Sequence, residues 1–122
     1  MPAKTPEQVN EILIDSLSRG DIETALSMYE EDASFLTADG VVTGIDGIRE
    51  VLQEFIAISP KFDWKPKPTL RTGDIALTGN HWSLTGTDPD GNALEMSGSS
   101  YEVVRCGADG NWRFIIDNPD AE

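Results

Sequence analysis

The chain contains a single cysteine and a single histidine among its 122 residues. One cysteine, Cys106, excludes an internal disulfide and any cysteine-cluster metal site. With His81 as the one histidine, there is no ligand spacing such as His-x-x-x-His, and no metal is expected. Basic side chains are also scarce, nine Lys+Arg against 22 Asp+Glu, for a formal net charge of −13. A field of that sign repels phosphate backbones and anionic lipid, which argues against nucleic-acid and membrane-surface partners. No apolar run approaches the roughly 20 residues needed to span a bilayer. The start, Met1 to Pro6, has no apolar signal region, so a cytoplasmic protein is expected. Internal repeats, phosphate-binding glycine loops, a dinucleotide fingerprint and a Ser/His/Asp arrangement are missing too, and no cofactor is expected.

What is present reads as helices first and strands after. Residues 1–122 form one domain with a core of about residues 5–119, large enough for a single apolar centre. Thr5-Pro6-Glu7-Gln8 is a helix start, with a Thr cap and Pro at the first helical position. Val9, Ile12, Leu13 and Leu17 then make one apolar stripe, and Gly20 ends the helix. Asp21 caps a second helix with Ile22, Ala25, Leu26 and Tyr29 on one face. Two short strands, Ser34 to Leu36 and Val41 to Val42, flank the turn Thr37-Ala38-Asp39-Gly40. A third helix begins near Ile45, carries Ile48, Leu52, Phe55 and Ile56, and closes at Pro60. Phe62 to Arg71 holds Pro66 and Pro68 and is expected as an edge or irregular strand. Ile75 to Thr87, interrupted at Gly79, Ala93 to Cys106 and Trp112 to Asp117 complete a meander, linked by Asp-Gly turns. The succession predicts an α+β fold with a mainly antiparallel sheet. Three helices cover only one face of it, so the other meets solvent or a second subunit.

Several stretches, in order, carry a family resemblance. Met28 to Phe35 resembles the end of the second helix and the first strand of SnoaL-like and ketosteroid-isomerase-like domains. Gly44-Ile45-Asp46-Gly47-Ile48-Arg49 is similar to their glycine-led start of the third helix. Trp82 to Gly86, Gly98 to Arg105 and Gly110 to Arg113 match the later strands. The resemblance implies the cone-shaped α+β roll of the nuclear transport factor 2-like superfamily, three N-terminal helices packed in a strongly curved sheet around an apolar pocket. It also implies a homodimer through the open sheet face and a small apolar or polycyclic ligand.

The same resemblance tests for steroid isomerisation. That chemistry needs a carboxylate base and acidic donors. The base position falls on Thr37, the phenolic donor on Leu13, and the second acid donor near Glu102, so two of the three roles are missing. Asp39, close to the first of these, is a turn former. Other candidates follow from the residues. Glu102 shares a strand face with Ser100 and Val104, and the resemblance turns that face to the pocket. A carboxylate there suits proton transfer, because desolvation disfavours a charge. Asp117 and Asn118 stand where the last strand reaches the pocket mouth in the family, with one facing in. An imidazole suits acid–base work near neutral pH, which makes His81 a candidate, but it alternates with Trp82, so only one of the two enters the pocket, and the family pattern favours Trp82. Tyr29, Trp64, Trp82 and Tyr101 are candidate ligand walls, and Arg105 with Arg113 a carboxylate clamp or an ion-pairing couple. Two functions fit: a cofactor-independent isomerase, cyclase or dehydratase with Glu102, Asp117 or His81 catalytic, or a dimerisation module with a vestigial pocket.

Overall fold

A computed structural model gives the fold, and its description covers residues 2–120. Helix α1 (Pro6–Arg19) starts where the Thr5 hydroxyl accepts the Gln8 amide, and ends at Gly20, whose φ of 74° few other residues adopt at low cost. Helix α2 (Ile22–Ser27) is capped by Asp21, which accepts from the Thr24 amide. Strands β1 (Tyr29–Thr37) and β2 (Gly40–Thr43) form a hairpin, and α3 (Ile45–Ala57) follows. The rest is sheet: β3 (Lys61–Pro66), β4 (Leu70–Thr72), β5 (Ile75–Thr87), β6 (Ala93–Cys106) and β7 (Trp112–Asn118).

The strands join in one sheet of order β2-β1-β7-β6-β5-β3, with β4 on β5. All pairs are antiparallel except β1 with β7, which runs parallel. The helices fill the concave side as a cone, and their stripes meet the sheet in one core. Val9, Leu17, Leu26, Ile48 and Leu52 pack there on Phe35, Val104 and Phe114.

Two local expectations are corrected. Tyr29 opens β1 rather than closing α2, because the chain turns at Met28, whose carbonyl accepts the Phe114 amide and starts the β1–β7 ladder. Gly79 does not interrupt β5. It makes room there: a Cβ would stand 2.6 Å from the Ser100 carbonyl oxygen. The Pro66 and Pro68 segment splits as expected at an edge, into β3 and β4, with the Lys67 amide bonded sideways to the Gly79 carbonyl.

Candidate functional site

Alternation along three neighbouring strands builds the site. Thr78 of β5, Glu102 of β6 and Asp117 of β7 are register partners in a row, and Phe35 of β1 extends it beyond Asp117. A one-residue irregularity in β7 between Phe114 and Ile116 restores the phase, sending Ile116 outward and Asp117 inward. Asn80 and Ser100 form the adjacent row, and Trp82 faces Gly98 beyond it. Of these, Phe35, Asn80, Trp82, Ser100, Glu102 and Asp117 line a cavity of about 70 Å³, with Asn10 and Leu13 among the α1 residues, Tyr29 of β1, Phe55 of α3 and Phe62 of β3.

Its floor is acidic. Glu102 is 2% and Asp117 5% exposed. Glu102 Oε1 accepts from Thr78 Oγ1 at 2.8 Å and from Asn10 Nδ2 at 3.2 Å, and the same Asn10 amide reaches Thr78 Oγ1 at 3.1 Å. Asp117 Oδ2 accepts from the Tyr29 hydroxyl at 2.5 Å. Burial and the neighbouring charge of Glu102 raise Asp117 to about 7, opposed by the Tyr29 hydrogen bond. Tyr29 is itself pushed well above its ordinary value, by burial and by the two carboxyl groups. Near neutrality Asp117 therefore stands between its acid and carboxylate forms, with a second carboxyl group, Glu102, as its cross-strand neighbour.

At the mouth, Trp82 Nε1 donates to the Pro119 carbonyl at 2.7 Å, fastening the segment after β7 across the opening. Gly98 is what lets the indole lie flat on β6, since a Cβ there would meet the ring at 2.9 Å.

Of the expected site residues, the structure brings Glu102, Asp117, Tyr29 and Trp82 around one cavity. Four others stand outside its lining. His81 is exposed on the outer sheet face, as alternation with Trp82 dictates, and its catalytic expectation is withdrawn. Tyr101, also outward and 44% exposed, lies under the Lys67 ammonium instead of in the pocket. Asn118 pairs with Tyr101 on that outer face, its Oδ1 buried without a partner. Trp64 shares Trp82's face but stands out on the edge strand. Arg105 and Arg113 are cross-strand partners, as expected, yet their guanidinium groups bond Glu30 and Asp109 at the surface. Thr37 caps its own turn by donating to the Gly40 carbonyl, and Leu13 is a wall. Tyr29 of β1 brings a phenol to the cavity lining, with its hydroxyl donating to Asp117. Ser100 stands on the pocket face beside Glu102, as expected, while Asn10, Thr78 and Asn80 are additions that sequence reasoning missed. Among the described residues, no group of three or more His, Cys, Asp or Glu could hold a metal ion, and no helix is long and apolar enough to cross a membrane.

Three helices packed inside one curved sheet make the cone-shaped α+β fold of nuclear transport factor 2-like structures. The profile of the SnoaL-like domain matches residues 11–115, and the chain belongs to that family. Solved structures agree in fold. A ketosteroid isomerase-like protein from Erwinia carotovora atroseptica superposes with a TM-score of 0.83 at 18% identity, covering 92% of this chain and 89% of its own. A proposed dehydratase of the nuclear transport factor 2-like family from Streptomyces avermitilis gives 0.78 at 17% identity, covering 92% and 90%. A proposed calcium/calmodulin-dependent protein kinase II association domain from Xanthomonas campestris gives 0.77 at 20%, covering 92% and 81%. No curated protein matches the sequence.

Proposed function

We propose that this protein binds a small, largely apolar molecule in the cone and exchanges a proton with it through the Asp117–Glu102 pair. The chemistry would be cofactor-independent, of the isomerase or dehydratase type. The observation that carries this reading is a buried carboxyl raised to about 7 at the floor of an otherwise apolar cavity. An acid or base works best when it titrates near the operating pH. Glu102, held by Asn10 and Thr78, serves as the base, Asp117 as the acid, and Tyr29 as the group that orients Asp117. Ligand cavities for drug-sized bodies measure roughly 300–1,000 Å³. At about 70 Å³ this one favours a smaller molecule than a fused polycycle.

The test is a fragment screen by NMR on labelled protein. Fragments that shift the Trp82 indole N–H together with the Asn10 and Asn80 side-chain amides support the reading. Fragments that perturb only the outer face, around His81 and Tyr101, overturn it. For a molecule that turns over, Glu102→Gln should keep binding and lose incorporation of solvent deuterium. Unchanged incorporation would remove Glu102 from the base role.

The outer sheet face supports self-association. Leu70, Ile75, Tyr101 and Ile116 are exposed large side chains, and that face carries no covering helix. The protein is accordingly proposed to be a homodimer through it.

A further inference from the structure

The cavity floor has an electrostatic imbalance that its protein surroundings do not correct. Two carboxyls line it, and no lysine, arginine or histidine does. The remaining titratable lining group, Tyr29 of β1, is a donor to Asp117 and brings no positive charge. The helices contribute Asn10 and aliphatic or aromatic side chains, β3 contributes Phe62, and β5 contributes Asn80 and Trp82. A buried acid is normally matched by a buried cation or kept neutral by a proton. Here the lining supplies no cation, and a positively charged ligand would take the place of the proton on Asp117.

A second observation points to a ligand. Asn80 is 4% exposed and lines the cavity, yet its carboxamide makes no hydrogen bond to any described residue. It is also not sealed in: the one side-chain N or O atom buried without a partner is Asn118 Oδ1. The carboxamide therefore opens onto the cavity. Asp117 Oδ1 and Glu102 Oε2 are in the same position, because the bonds from Tyr29, Thr78 and Asn10 all go to the other oxygen of each carboxyl. Two carboxyl oxygens and the Asn80 carboxamide oxygen are available as acceptors around one apolar space. Above them stand Tyr29, Phe35, Phe55, Phe62 and Trp82, rings whose faces attract cations.

We propose that the occupant of this cavity is a small apolar molecule carrying a protonated amine, with its nitrogen seated among Asp117, Glu102 and Asn80. This rests on the pocket reading above and names its ligand class. An ammonium group brings N–H donors and no acceptor, the complement of these three acceptors. A carboxylate ligand is excluded by the same floor. The charge of −13 also draws cations toward the protein and repels anions. If the amine arrives neutral, the Asp117 O–H bond breaks and an N–H bond forms. If it arrives protonated, the Asp117 proton leaves to solvent. Either way Asp117 ends as the carboxylate partner, and Glu102 stays beside it to take a proton from the ligand.

The experiment compares benzylamine with its neutral isostere benzyl alcohol, by titration calorimetry and NMR. At about pH 8, benzylamine should bind at least about tenfold tighter than the alcohol. At about pH 6 its affinity should drop, and binding should release about one proton, read from the dependence of heat on buffer. Asp117→Asn should erase the preference and the proton release, and Glu102→Gln should reduce the preference separately. Alcohol binding as tightly as amine overturns the amine proposal and leaves the pocket reading standing. Neither binding overturns both. Amine binding unchanged in Asp117→Asn shows that the site lies elsewhere and overturns the proposal.

Discussion

At the scale of single residues, Asp117 governs how the fold responds to pH. Folded, it keeps its proton up to about pH 7, whereas an unfolded aspartate loses it near 3.9. Between those values the native state binds the extra proton, so this residue's contribution falls as pH rises from about 4 to about 7 and then levels off. Asp109 works the other way. Arg113 and the Asn111 amide hold it at about 2, so what it contributes is present above its unfolded value and is lost as pH falls through about 2. Asp117→Asn should therefore raise the melting temperature more at pH 8 than at pH 5, as thermal melts would show; a parallel shift at both would contradict the assignment. Glu102 could be read in the sequence because it occupies an in-facing place in an alternating strand, whereas the choice between Asp117 and Asn118 stayed open, since Asp117 turns inward only through the irregularity between Phe114 and Ile116. Asn10 was legible in principle, three positions before Leu13 and seven before Leu17 on the same stripe, but a polar residue there reads as a break in the pattern. Only the structure brings Glu102 to it across the core.

At the scale of elements, the Trp82 contact between β5, β6 and the segment after β7 decides how the pocket is closed. Gly98→Ala would place a methyl group 2.9 Å from the indole and 3.1 Å from the Pro119 carbonyl oxygen. Overpacking of this kind typically costs about 1–3 kcal/mol. The variant should melt earlier and show red-shifted tryptophan emission as the ring is displaced. Unchanged stability and emission would mean that the clamp has no mechanical consequence. Capped helices and turn-bounded strands were legible here because local chemistry specifies them: Thr5, Gly20 and Asp21 act within one turn of the chain. The end of α2 was not. Ala25, Leu26 and Tyr29 satisfy a helical period, and the strand assignment of Tyr29 comes from pairing with Phe114, a long-range contact that overrides a local pattern.

At the scale of the whole molecule, one face of the sheet is covered by helices and the other carries Leu70, Ile75, Tyr101 and Ile116 to the surface. Large contiguous apolar patches mark interfaces, and the proposed dimer uses these four side chains. Ile116→Lys should lower the sedimentation coefficient from a dimer's to a monomer's while leaving fragment binding inside the cone intact. A wild-type chain that sediments as a monomer at all concentrations would remove the dimer from consideration. The cone and its helices were visible in the order of elements. The acid pair's surroundings were not, because a helix and two strands distant in sequence supply them: Asn10 from α1, Tyr29 from β1 and Thr78 from β5. The position of β7 has one more effect. Residues 112–118 form the middle of the sheet, between β1 and β6, although β7 follows the other strands in the sequence. Without β7 the β1–β2 hairpin is cut off from the meander of β3 to β6, and the floor of the cone lacks Asp117. Whatever loosens β7 therefore divides one sheet into two pieces, so the cohesion of the whole fold hangs on a single seven-residue seam.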